Sequence, residues 1–114
     1  MHELSIAHGL VSAAVAAADR EGISHVESVQ LRLGVMSGVV ADSLLFGYDV
    51  ATAGTLLEGS TLQIEPVEVA IWCPTCQAEK EIVEEYHFVC PDCDTPSGRL
   101  VRGREIQIVS LEYT

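Results

Sequence analysis

The chain has 114 residues, 48% of them hydrophobic, with 17 acidic against 6 basic side chains and a net charge of −11. That length suits one compact unit or a small domain carrying a metal-held module, and the hydrophobic content excludes a disordered chain. The acidic balance repels phosphate backbones and anionic membranes, and aromatics at 5% are too sparse for a base-stacking platform, so neither nucleic acid nor membrane is an expected partner.

Residues 4–20 have helical spacing. Leu4, Ala7, Leu10 or Val11, Ala14 and Ala17 or Ala18 recur on one face, the alanine run is a strong helix former, and Gly22 is placed to end the helix. Residues 26–35 alternate as a strand, with Val29, Leu31, Leu33 and Val35 in one phase. A second helix is predicted over 42–53, capped by Asp42 or Ser43, with Leu44, Tyr48 and Ala51 on its buried face.

A second strand is predicted over 61–71, with a phase switch at Pro66 that implies a bulge or a sheet edge. A third occupies roughly 104–113 and returns beside the strands at 26–35 and 61–70. The predicted fold class is therefore α+β: a small three-stranded sheet with two helices, plus an inserted four-cysteine module of zinc-ribbon type. The expected domains are 1–70 with 100–114, and 71–99.

The module carries Cys73-Pro-Thr-Cys76 and Cys90-Pro-Asp-Cys93, two C-x2-C pairs thirteen residues apart. Each short turn lets two sulfurs converge on one ion, and four thiolates in a tetrahedron suit Zn²⁺ in a closed structural site. Iron in a rubredoxin-like electron carrier uses the same ligands and is distinguished by colour, and a nucleic-acid-binding zinc ribbon shares the module but lacks a basic stripe here. Gln77 and Asp94 stand where a glycine often follows the second cysteine of such a pair; Asp94 takes a left-handed backbone at small cost, Gln77 less readily. His87 lies near enough to Cys90 to replace a thiolate, or else is an exposed imidazole.

Met1-His2-Glu3 is the second constellation. The terminal amine, the His2 amide nitrogen and the His2 imidazole can chelate one ion through low-strain rings, with Glu3 completing the shell. Ni²⁺ and Cu²⁺ favour such a square plane of nitrogens. A lone His at this position is more often a solvated bystander. No Ser-His-Asp arrangement, phosphate loop or H-E-x-x-H motif is present, so an enzyme is not expected. With no basic segment leading into an apolar run, and no apolar stretch of about 18 residues, the expected location is the cytoplasm.

Residues 1–7 (Met-His-Glu-Leu-Ser-Ile-Ala), Val29–Ser37, Asp42–Phe46, Gly54–Gly59, both cysteine pairs and Gly103–Glu112 together resemble the HypA/HybF family of hydrogenase nickel-insertion accessory proteins. The resemblance spans nearly the whole chain. It implies a nickel metallochaperone serving the large subunit of [NiFe]-hydrogenase, and in some organisms urease and its accessory proteins, alongside the GTPase HypB. It implies zinc at Cys73, Cys76, Cys90 and Cys93, and nickel at His2 with main-chain nitrogen from Met1 and Glu3. Asp42 matches an acidic position near the family's nickel site, and Glu3 one implicated in partner contact.

Overall fold

The computed structural model describes residues 3–84 and 86–114. Its elements are α1 (Glu3–Arg20), β1 (Val26–Gly34), α2 (Ala41–Thr52), β2 (Thr61–Val67), β3 (Ala70–Cys73), β4 (Ala78–Glu81), β5 (Leu100–Arg102) and β6 (Ile106–Tyr113). They form two three-stranded sheets, ordered β2-β1-β6 and β4-β3-β5. The fold is the expected α+β arrangement, with the cysteine module inserted between β2 and β6.

Two compact units divide the chain. One comprises the described part of Met1–Arg32 with Gly38–Glu65 and Gln107–Thr114; the other comprises Leu33–Ser37 and Pro66–Ile106. In the first, α1 buries Ala7, Val11, Ala14 and Ala18, a single stripe at helical spacing. These small side chains let α2 approach closely: a Cβ at Gly47 would stand 3.3 Å from the Ala7 Cβ and 3.5 Å from the Glu3 carbonyl oxygen. Leu44, Tyr48 and Ala51 on α2 and Val26, Val29 and Leu31 on β1 are all buried in the core. Helix α1 ends where Gly22 turns left-handed (φ 70) and the Ile23 N–H reaches back to the Ala18 carbonyl at 2.9 Å, freeing the chain to enter β1.

The face of β1 away from the helices is polar. The Ser28 hydroxyl donates to Glu112 at 2.7 Å, Gln30 donates to the same carboxylate at 3.0 Å, and Arg32 lies 3.7 Å from Glu65. Pro66 is tolerated because β2 is an edge strand, where its missing N–H leaves no ladder bond broken.

Two expectations need correction. The strand over 61–71 is two strands in different sheets, separated at Glu68 and Val69; apolar alternation carried through the break and disguised it. Helix α2 begins one residue early, with Val40 at the N-cap in extended conformation (φ −87, ψ 119) and no side-chain cap, so neither Asp42 nor Ser43 caps it. Asp42 lies in the first turn, where its charge still complements the helix dipole. Among the described residues no helix is long and apolar enough to cross a membrane.

Candidate metal centre

Each cysteine pair sits at the tip of a hairpin. Strands β3 and β4 pair antiparallel from Ala70↔Glu81 to Cys73↔Ala78, which leaves Pro74–Gln77 as the turn. The second hairpin is shorter: Val89 bridges Pro96, the Cys90 N–H donates to the Thr95 carbonyl at 2.9 Å, and the Ser97 N–H to the Phe88 carbonyl at 2.9 Å. The hairpins are joined through Trp72, whose carbonyl accepts from the Ser97 hydroxyl at 2.6 Å and whose ring lies 5.6 Å from the Arg99 guanidinium carbon. Lys80 on β4 pairs with Asp92 in the second knuckle at 2.5 Å.

The two turns are built alike. The Gln77 N–H donates to the Cys73 carbonyl at 2.8 Å, and the Asp94 N–H to the Cys90 carbonyl at 2.9 Å. Both closing residues are left-handed, Gln77 at φ 55 and Asp94 at φ 62. The places where glycine was missed are therefore the places that would use it. Gln77 gains partial compensation, since its side-chain amide donates to the Pro74 carbonyl at 2.6 Å.

All four sulfurs lie within 4.8 Å of one another, and among the described residues this is the one cluster able to hold a metal ion. Cys73–Cys93 is 3.5 Å, Cys76–Cys93 is 3.6 Å and Cys76–Cys90 is 3.9 Å. A tetrahedron with metal–sulfur bonds of about 2.3 Å has edges of about 3.8 Å, so the donor set fits one tetrathiolate-bound ion. His87 is exposed and does not belong to the cluster.

The sulfurs differ in their surroundings. Cys73 and Cys90 are fully buried, Cys76 and Cys93 exposed. Cys73 accepts the Cys76 N–H at 3.3 Å. Cys93 lies 3.1 Å from the Thr95 hydroxyl, whose oxygen is 3.0 Å from that of Thr75 in the other knuckle. The Thr95 hydroxyl, and then its backbone, draw the Cys93 thiol from 9.0 down to about 6. The hydrogen bond to Cys93, and then that to Cys73, push Cys76 up from 9.0 to about 12, because Cys76 is held as the proton donor. A dication would take over the role of that proton. Thr75 and Thr95 were missed in the sequence, where nothing marks a loop hydroxyl as aimed at a sulfur.

At the other candidate site, Met1 and His2 lie outside the described residues. Glu3 opens α1, and its carboxylate accepts from the Val40 N–H at 3.5 Å. The first turn of α1 thus meets the N-cap of α2, two residues before the exposed Asp42. Glu3 and Asp42 therefore come from the adjoining starts of two helices, although they are far apart in sequence.

A four-cysteine ribbon inserted in a small α+β domain defines a protein with a site able to hold a metal ion. The chain matches the family described as "Hydrogenase/urease nickel incorporation, metallochaperone, hypA" over residues 1–113 and belongs to that family. It is 50% identical over 113 residues to the hydrogenase maturation factor HypA of Roseiflexus sp. (strain RS-1), covering 99% of this chain and 92% of the relative. The HypA of Chloroflexus aurantiacus is 47% identical over 112 residues, with 98% of each chain covered. In fold, the chain is similar to the solution structure of the Ni metallochaperone HypA from Helicobacter pylori, with TM-score 0.72, 21% identity, and 99% and 97% of the two chains covered. A second HypA solution structure superposes with TM-score 0.76 at 21% identity, covering 100% and 97%.

Proposed function

We propose that this protein is a nickel metallochaperone that binds Ni(II) at its N-terminus and helps deliver it to [NiFe]-hydrogenase during maturation. The observation that carries this reading is family membership over residues 1–113 in a chain that opens Met-His-Glu. In this reading His2 supplies imidazole and amide nitrogen, Met1 and Glu3 supply main-chain nitrogen, and Asp42 lies near the ion. Cys73, Cys76, Cys90 and Cys93 hold a structural Zn²⁺ within a zinc-binding domain at 71–99. The expected partners are the GTPase HypB and the hydrogenase large subunit, in the cytoplasm. The protein itself is not an enzyme: a tetrathiolate ion has no open position at which to activate water.

The chemistry assigns different work to the two sites. A chaperone must bind its ion selectively and still release it. A planar nitrogen chelate opens stepwise when its amides are reprotonated or a partner's thiolates displace them; a closed sulfur cage does not. Square-planar nitrogen ligation favours Ni²⁺, whereas zinc gains nothing from that geometry.

The test is a competitive titration of metal-free protein with an authentic N-terminus, Ni²⁺ against Zn²⁺. It is repeated with His2→Ala and with an N-terminal extension. Both changes should abolish nickel binding and spare zinc. An extended protein that binds Ni²⁺ as tightly as the free one refutes the chelate. Nickel seated among the cysteines refutes the division of labour.

A further inference from the structure

Four cysteines on one ion are commonly treated as equivalent. Here their surroundings separate them. Burial closes Cys73 and Cys90 to any reagent larger than solvent. Of the two exposed sulfurs, only Cys93 has a hydroxyl neighbour, Thr95 at 3.1 Å. Among the described residues, the Cys76 sulfur has only other cysteine sulfurs within hydrogen-bonding reach. We propose that Cys76 is the reactive sulfur of the centre, where a soft electrophile attacks and the ion is first let go. The Thr95 hydroxyl protects Cys93 from the same fate. This rests on the reading that the cluster holds a tetrathiolate-bound ion.

The hydroxyl arrangement follows from valence. A metal-bound thiolate is an acceptor only, so the Thr95 O–H must donate to Cys93. The same O–H is also directed at the Thr75 oxygen, 3.0 Å away, so its one hydrogen is shared between sulfur and oxygen. The donated hydrogen sits on sulfur lone-pair density that would otherwise attack an electrophile. The bond from Thr95 to Thr75 also ties the second knuckle, which Thr95 follows, to the first, which contains Thr75. Cys76 faces solvent with its lone pairs uncapped. Nucleophilicity rises with electron density on an accessible sulfur, so exposure and lack of a donor act in the same direction.

The covalent step is simple with iodoacetamide as the electrophile. A Cys76 sulfur lone pair attacks the methylene carbon, the carbon–iodine bond breaks and iodide leaves. The thiolate becomes a neutral thioether, so the ion loses one charged ligand and its hold weakens.

The experiment treats the full-length, zinc-loaded chain with less than one equivalent of iodoacetamide. The position of the label is mapped by peptide mass, and released zinc is followed with a chromogenic chelator. The first label should fall on Cys76, with zinc release in step. Thr95→Val should raise Cys93 labelling about tenfold, the order expected for losing a hydrogen bond to a charged acceptor, and leave the Cys76 rate unchanged. Thr95→Ser should restore the parent pattern, which a purely structural role for the threonine methyl would not do. Labelling that starts on Cys93, spreads evenly over the four cysteines, or ignores Thr95→Val overturns the proposal while zinc stoichiometry stands. A protein that retains no tetrathiolate-bound ion overturns the zinc reading together with it.

Discussion

The Tyr48 hydroxyl lies 2.6 Å from the Ser60 hydroxyl, both side chains being buried between α2 and the start of β2. Burial pushes the Tyr48 phenol above its usual value of 10.0; the Ser60 hydrogen bond opposes the shift and the Asp49 charge adds to it. The folded state therefore holds this proton at a pH where the unfolded chain has begun to release it. The contribution is fully present below about pH 10 and is lost as pH rises above it. Tyr48→Phe should cost about 1 kcal/mol at neutral pH, since Ser60 is left without its partner. It should also lose less stability than the parent between pH 9 and 11, as read by urea unfolding across that range.

Glycine has opposite meanings at two positions. A Cβ at Gly34 would overlap the Gly103 carbonyl oxygen and stand 2.6 Å from the Arg104 nitrogen, and backbone atoms cannot step aside cheaply. Gly34→Ala should therefore destabilise by about 3 kcal/mol or more. Gly9, within α1, would have nothing within 4 Å of an added methyl and has no positive φ, so Gly9→Ala should stabilise by about 1 kcal/mol. Denaturant midpoints of the two variants should move in opposite directions.

The left-handed residues closing the knuckles make a prediction about metal affinity. A β-branched side chain at φ 55 or φ 62 adds strain of roughly 1–2 kcal/mol. Gln77→Val and Asp94→Val should each weaken zinc binding roughly tenfold or more in chelator competition. Asp94→Gly should bind within about threefold of the parent, because glycine adopts that conformation freely.

Metal removal should act on one unit. Binding of structural zinc to small peptides is worth on the order of 10–16 kcal/mol, far more than a segment with so few buried side chains supplies for itself. A chelator, or Cys76→Ser, should leave residues 72–99 open to protease. The far-UV helical signal should persist, because α1 and α2 belong to the other unit. Unchanged protease resistance would falsify the structural role of the ion.

What was legible in the sequence was what depends on near neighbours. Ala7, Val11, Ala14 and Ala18 announce a helix stripe, Val29, Leu31 and Leu33 a strand, and Gly22 a stop. The cysteine quartet was legible because convergence on an ion is imposed by the C-x2-C turn itself. Strand β4 was invisible because Ala78-Glu-Lys-Glu81 has no apolar alternation; its partners on β3, from Ala70 to Cys73, supply the reason it is a strand. The break at Glu68–Val69 escaped notice because Val67, Val69 and Ile71 are all buried, though they serve two sheets. The α2 cap was misplaced because Val40 offers no capping side chain, and its N–H is met by Glu3 from the other helix. Thr95 gains its meaning only once two hairpins have closed.

Strand β1 is the middle strand of its sheet, yet one of its neighbours, β6, follows the whole cysteine module in sequence. A ribosome delivers β1 and β2 early and then the whole excursion from Glu68 to Glu105. Until that stretch has emerged, one flank of β1 has no strand to pair with. An ion captured by the four cysteines would gather the excursion and bring its two ends closer, which lowers the entropic cost of the β1–β6 pairing. Metal supply during synthesis would then govern how often β1 gains its second neighbour.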